Sequence, residues 1–154
     1  ATRAKLAEHS VEKVGAELGA RVVDYTEIHK ESCDIYSPCA LGGAVSSSTV
    51  DDLNCDIICG GANNQLATPD MMDRLTEKGI IYVPDYLANA GGVILIGARG
   101  TDRGELEWHG PEIVGKLDYI SDLTQEALRL AESQYAGNTA RVADMMAERR
   151  LVTY

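Results

Sequence analysis

Four short apolar runs recur through the first half of the chain: Arg21 to Val23, Cys33 to Tyr36, Asp56 to Cys59 and Ile80 to Val83. Segments of helical or turn character separate them. Runs this short, apolar on both faces, suit the strands of a parallel sheet covered by helices. The expected fold class is therefore α/β, with a parallel sheet flanked by helices.

The segments between and beyond the runs carry helix punctuation. Between the last two runs lies P-D-M-M-D-R-L-T-E-K-G, with Pro69 at a first helical position, acids early, Lys78 late and Gly79 as the stop. It reads as the crossover helix of a βαβ unit. At the start, Leu6, Ala7, Val11 and Val14 are close to helical spacing, and Gly15 or Gly19 ends that helix. Asp85 and the following Y-L-A-N-A-G-G-V-I-L-I-G-A read as a loop running into an apolar helix. From Pro111 onward, Ile113, Leu117, Ile120, Ala127, Ala131 and Tyr135 mark one stripe of a long amphipathic helix. Asn138 starts another, with Val142, Met145 and Met146. Residues 97–111, rich in glycine and charge, form a surface loop in this reading. The organisation expected is one domain over residues 1–154, with a sheet-containing core at 1–97 and C-terminal helices at 110–154.

Composition narrows the function. A chain of 154 residues with 45% hydrophobic content is long enough to bury one core. Its net charge of −10 repels phosphate backbones, so nucleic acid is not an expected partner. No stretch approaches the roughly 18 apolar residues that span a bilayer, and the N-terminus lacks a basic region followed by an apolar one. A cytoplasmic protein without a membrane partner is expected. Cys33, Cys39, Cys55 and Cys59 do not form two C-x-x-C knuckles, so no metal ligand is assigned. Cys33, Cys55 and Cys59 lie in or beside the apolar runs, where a reduced cysteine serves as a small buried hydrophobe.

The functional signal sits in three loops that follow three expected strands on the same side. They are S-P-C-A-L-G-G after Cys33 to Tyr36, G-G-A-N-N-Q-L after Asp56 to Cys59, and P-D-Y-L-A-N-A-G-G after Ile80 to Val83. In an open parallel sheet, ligands bind in the crevice beyond the carboxyl ends of the strands, so all three loops should line one site. Small residues let the backbone approach a ligand, and Asn63, Asn64 and Asn89 offer uncharged amides that both donate and accept. That chemistry suits a nicotinamide carboxamide or a ribose. Each loop alone also has a plainer reading: Pro38, Gly42 and Gly43 turn the chain, Asn63 caps a turn, and Gly91 with Gly92 permits close packing.

The strings C-D-I-Y-S-P-C-A-L-G-G, A-N-N-Q-L and Y-x-P-D-Y-L-A-N-A-G-G-V-I resemble the nucleotide-binding domain of the leucine, phenylalanine and valine dehydrogenases, within the wider glutamate dehydrogenase superfamily. The resemblance runs from about Ala1 to about Gly97. A weaker echo follows in N-T-A-R-V-A-D-M-M-A-E-R-R-L, and the region from about Ala98 to Pro111 departs from the pattern. It implies part of a Rossmann-like fold in a two-domain enzyme, one that oxidatively deaminates an apolar L-amino acid to a 2-oxo acid and ammonia. The implied cofactor is NAD, with NADP not excluded, and the implied full-length enzyme is a homo-oligomer. Carried over by position, Cys39, Ala40 and Leu41 contact the adenosine side and the ribose. Asn63 and Asn64 hold the nicotinamide ribose or the substrate carboxylate, and Asn89 holds the carboxamide. Val93 and Ile96 shape the substrate side-chain pocket or serve as ordinary helix core.

Several parts of that enzyme are expected outside this sequence. The family's first βαβ unit, with G-x-G-x-x-G cradling the pyrophosphate and an acidic residue reading the ribose, should come before Ala1. The stretch V-G-A-E-L-G-A before Asp24 lacks the G-x-G turn and a preceding strand, so Asp24 reads as a surface residue. The family's active-site lysines and catalytic aspartate belong to the other domain. Here Lys5, Lys13, Lys30, Lys78 and Lys116 lie in helical or loop contexts, none beside a Gly-rich loop. His9, His29 and His109 are scattered, and Ser46 to Ser48 form a polar turn ahead of a helix entry at Thr49 and Asp51. No catalytic residue is assigned to this chain, and it should not perform the reaction alone. A non-catalytic dinucleotide-binding or interaction module is the alternative. An isolated chain of this kind should be marginally stable or associate with partners, because a sheet edge is left unpaired.

Overall fold

A computed structural model of the chain describes residues 10–98 and 111–151. The first helix, α1, spans Val11–Leu18 and is capped by Ser10, whose Oγ accepts from the Lys13 N–H at 3.3 Å. It stops at Gly19, where φ is 65°. Leu6 and Ala7, expected in the same helix, lie outside the described residues, as do 99–110 of the expected surface loop.

Three strands form one parallel sheet in the order β1-β2-β3: β1 is Cys33–Tyr36, β2 is Cys55–Ile58 and β3 is Ile81–Tyr82. The register pairs Tyr36 with Ile58 and Ile58 with Tyr82, so these side chains share one face. Against it pack Val45, Val50, Leu53 and helix α2, Met71–Glu77, through Met71, Met72 and Leu75. This is the larger core. Helix α2 begins two residues later than Pro69, which sits ahead of it in a turn: the Met72 N–H donates to the Pro69 carbonyl at 3.1 Å. Gly79 follows it at φ 73°, as its position in the sequence leads one to expect.

Two expectations fail here. The run Arg21 to Val23 is not a strand. Instead Val22 packs on α1, so tightly that a Cβ at Gly15 would lie 2.7 Å from Val22 Cγ2, while Arg21 forms an ion pair with Glu31. The second concerns burial on the other face of the sheet, where the apolar side chains are not all enclosed. Ile35 and Ile81 are exposed there, and Cys33, read as a buried hydrophobe, is exposed beside them. Cys55 and Cys59 are half-buried, and burial is the main cause pushing the Cys55 thiol up.

The remaining helices are α3, Asp85–Ala88; α4, Gly91–Ala98; α5, Pro111–Gln134; and α6, Thr139–Leu151. The stripe expected on α5 buries Ala127 and Ala131 against Val142 of α6, with Tyr135 donating its hydroxyl to Met145 Sδ at 3.0 Å. The chain turns between the two helices at Ala136 and Gly137, both at positive φ, and the Asn138 side chain caps α6 by accepting from the Arg141 N–H at 2.9 Å. Thr139, fully buried, donates its hydroxyl to the Tyr82 carbonyl. That bond ties the C-terminal helix to the end of β3.

Candidate functional site

Parallel strands deliver their carboxyl ends to the same edge, so the loops after β1, β2 and β3 meet there. The ladder extends into them: the Cys59 N–H donates to Tyr36 O at 3.1 Å, Val83 N–H to Ile58 O at 2.9 Å and Ala62 N–H to Pro38 O at 3.0 Å. Gly60 makes this crossing possible. A Cβ there would sit 2.2 Å from the Pro38 carbonyl oxygen, so no side chain fits between the first two loops. Gln65, fully buried, fixes the second loop from beneath, its Nε2 donating to Gly60 O at 2.7 Å and Ala62 O at 2.9 Å.

Asn64 joins all three loops through its backbone. It adopts φ 53°, a conformation uncommon outside glycine but one asparagine tolerates better than most residues. Its carbonyl accepts from Gly43 N–H of the first loop at 2.8 Å, and its N–H donates to Asp85 Oδ2 of the third at 2.8 Å. The other Asp85 oxygen accepts the Tyr82 hydroxyl at 2.9 Å. Burial, then that hydrogen bond to a carboxylate, pushes the Tyr82 phenol well above its ordinary range.

The side-chain amides of Asn63 and Asn89 meet directly. Asn89 Nδ2 donates to Asn63 Oδ1 at 2.5 Å and lies 3.3 Å from the Gly61 carbonyl. Both residues, with Asn64, Asp85, Tyr86, Val93 and Ala140, line a cleft of about 750 Å³. That volume is in the range of small-molecule sites. Tyr86 is held by α6, donating its hydroxyl to Asp144 Oδ1 at 2.7 Å and lying 3.2 Å from Ala140 O. Burial, then the Asp144 bond, raises its phenol in turn.

Cys39 lies apart, on the first loop. The Ser37 hydroxyl 3.4 Å from its Sγ, and the Gly61 N–H donating at 3.3 Å, hold this exposed thiol below its ordinary range.

The geometry thus brings Asn63, Asn64, Asn89 and Val93 to one cleft. It leaves Cys39, Ala40 and Leu41 on an exposed loop beside it, with Leu41 at 82% exposure. Ile96 is 72% exposed and does not line the cleft; Val93 is 73% exposed, so neither is helix core among the described residues. The sequence reading missed Asp85 as a bridging group, Gln65 as the loop's anchor, and Tyr86 with Ala140 in the lining. The P-D after β3 was a usable signal for Asp85; nothing local marks Ala140.

A sequence model described as "Glutamate/Leucine/Phenylalanine/Valine dehydrogenase" matches residues 2–153. The chain belongs to this dehydrogenase family. Within it, the chain is 39% identical over 145 residues to a phenylalanine dehydrogenase of Thermoactinomyces intermedius, covering 94% of this chain and 37% of that protein. It is 38% identical over 138 residues to a leucine dehydrogenase of Geobacillus stearothermophilus, covering 89% and 36%. Among solved structures, an L-tryptophan dehydrogenase from Nostoc punctiforme superposes with a TM-score of 0.81 at 36% identity, over 92% of this chain and 42% of that one. A glutamate dehydrogenase at 19% identity and TM-score 0.69 shares the fold. The chain spans somewhat over a third of the length of these phenylalanine and leucine dehydrogenases. Among the described residues no helix is long and apolar enough to cross a membrane, and no group of three or more His, Cys, Asp or Glu could hold a metal ion.

Proposed function

We propose that this chain is the dinucleotide-binding part of an NAD-linked dehydrogenase that oxidatively deaminates an apolar L-amino acid to a 2-oxo acid and ammonia. The carrying observation is the Asn63–Asn89 amide pair, placed at the strand ends in a cleft of small-molecule size. A carboxamide needs a donor and an acceptor in one plane of approach, and these side chains supply both. In this reading Asn89 holds the nicotinamide carboxamide, Asn63 and Asn64 the ribose or the substrate carboxylate, and Cys39, Ala40 and Leu41 the adenosine side. Val93, at the cleft, and Ile96, a turn further along α4, face the substrate side chain. The bound dinucleotide supplies the hydride acceptor; the residues here orient it and contribute no proton-transfer group.

The named relatives at 36–39% identity act on leucine, phenylalanine and tryptophan, which supports an apolar substrate; the glutamate dehydrogenase, at 19%, shares only the fold. The full-length protein carrying this chain should reduce NAD in the presence of L-leucine, L-valine or L-phenylalanine, followed by absorbance of the reduced ring, with lower kcat/KM for NADP. Dinucleotide binding by calorimetry with no turnover on any apolar amino acid would favour a non-catalytic binding module, and no binding at all would overturn both.

A further inference from the structure

Asp85 is the one charged side chain among the described residues that line the cleft; the others are amides, tyrosines and small or apolar groups. Its position is fixed at both oxygens, by the Tyr82 hydroxyl at 2.9 Å and the Asn64 N–H at 2.8 Å, so it cannot swing away into solvent without releasing two donors. It is half-buried, which weakens solvent screening of its charge. Tyr86, which also lines the cleft, donates its hydroxyl to Asp144 at 2.7 Å, which sets a second carboxylate against that lining residue. No lysine or arginine among the described residues lines the cleft to offset them.

A nicotinamide ring is cationic when oxidised and neutral when reduced, while the pyrophosphate, riboses and adenine are the same in both forms. A fixed anion in a cleft that takes the ring therefore acts on the difference between the two forms. We propose that the Asp85 carboxylate makes this cleft discriminate by charge, favouring the oxidised, cationic ring over the reduced, neutral one. This rests on the dinucleotide reading above. Asp85 is a specificity-determining residue in this role, separate from its bridging of the loops.

The test is the ratio of two dissociation constants, measured by calorimetry on the full-length protein for the oxidised and the reduced dinucleotide. Replacing the charge, in Asp85→Asn and Asp85→Ser, should weaken the oxidised form roughly tenfold relative to the reduced one, the size expected for a unit charge several ångströms away at intermediate dielectric. Tyr82→Phe removes one hydrogen bond and keeps the charge, so it should shift both affinities together and leave the ratio unchanged. A ratio unmoved in both uncharged variants, or moved as far by Tyr82→Phe, overturns the inference. A measurement on the wild type needs no variant to fold: a dinucleotide with a neutral benzamide ring should bind roughly tenfold more weakly than the oxidised cofactor, and equal affinity overturns the inference. A wild type that binds neither form overturns the functional reading and this inference together; one that binds both with an unmoved ratio overturns this inference alone.

Discussion

The Asn89 side-chain amide donates to the Asn63 side-chain oxygen at 2.5 Å, linking the loop after β3 to the loop after β2 within the lining of the cleft. The Asn63 oxygen keeps a second lone pair for a ligand, while both hydrogens of the Asn89 amide nitrogen already have partners in Asn63 Oδ1 and Gly61 O. The pair is therefore already oriented before a ligand arrives.

Replacing Asn89 tests that orientation. Asn89→Ala removes a donor from Asn63 Oδ1 and Gly61 O and should cost about 1 kcal/mol in denaturant titration. Asn89→Asp should cost more, about 2–3 kcal/mol, because it turns an oxygen towards two oxygens. Both variants should raise KM for the dinucleotide in the full-length protein. If Asn89→Asp proved as stable as Asn89→Ala, the donor assigned to Asn89 would be wrong.

Gly60 and Gly61 are neighbours with opposite tolerances. At Gly60 a Cβ meets backbone, Pro38 O at 2.2 Å and Pro38 N at 2.6 Å, whereas at Gly61 the nearest atom is Cys39 Sγ at 3.7 Å. Gly60→Ala should cost upwards of about 3 kcal/mol or abolish folding, and Gly61→Ala should fall within about 0.5 kcal/mol of the parent. Thermal denaturation of the two variants side by side decides it.

Cys39 should react ahead of an ordinary exposed thiol as pH rises, because its hydrogen bonds from Ser37 and Gly61 favour the thiolate. Alkylation with iodoacetamide, read peptide by peptide by mass spectrometry across pH, should give a midpoint for Cys39 below the usual thiol value. Ser37→Ala should move that midpoint upward. An unmoved midpoint would assign the shift to something other than Ser37.

The tyrosines of the cleft set an alkaline limit. Tyr82 and Tyr86 titrate higher in the folded protein than the ordinary value of 10.0, chiefly through burial and then through their bonds to Asp85 and Asp144. A phenol whose folded pKa is raised contributes stability that is intact below the unfolded value and is lost as pH climbs from it through the folded one. Stability should therefore fall with pH above about 10, and more gently in Tyr82→Phe, which has one fewer such group. Urea midpoints from pH 8 to 11 measure this; an equal slope in parent and variant would count against it.

Much of the fold was legible because punctuation and hydropathy coincide. The runs containing β1, β2 and β3 end in glycine- and asparagine-rich loops, and the observed strands agree with them to within a residue or so. Arg21 to Val23 looks the same in sequence, yet its fate was decided by a fit between Val22 and Gly15 that no local pattern encodes. The exposure of Ile35 and Cys33 is likewise a matter of what packs on the sheet, not of their own chemistry. In the site, convergence of the loops followed from strand direction alone. The bridge from Asp85 to the Asn64 backbone did not, because it depends on a positive φ at Asn64 that sets its N–H towards another loop. The part of the lining made by Ala140 and Tyr86 depends on how α6 returns to β3 through Thr139.

The sheet register carries a kinetic consequence. Every ladder contact joins distant parts of the chain, Cys33 with Cys55 and Ile57 with Ile81, and the intervening segments contain the loops after β1 and β2, the second of which supplies Asn63 and Asn64 to the cleft. Closing such loops before any ladder contact forms slows folding relative to helices that assemble locally. Helices α1, α2 and α5 are able to form early, but the crevice comes into being only when the strands align. Ligand binding should consequently emerge in the last, cooperative phase of refolding, with no partly folded species able to hold a dinucleotide.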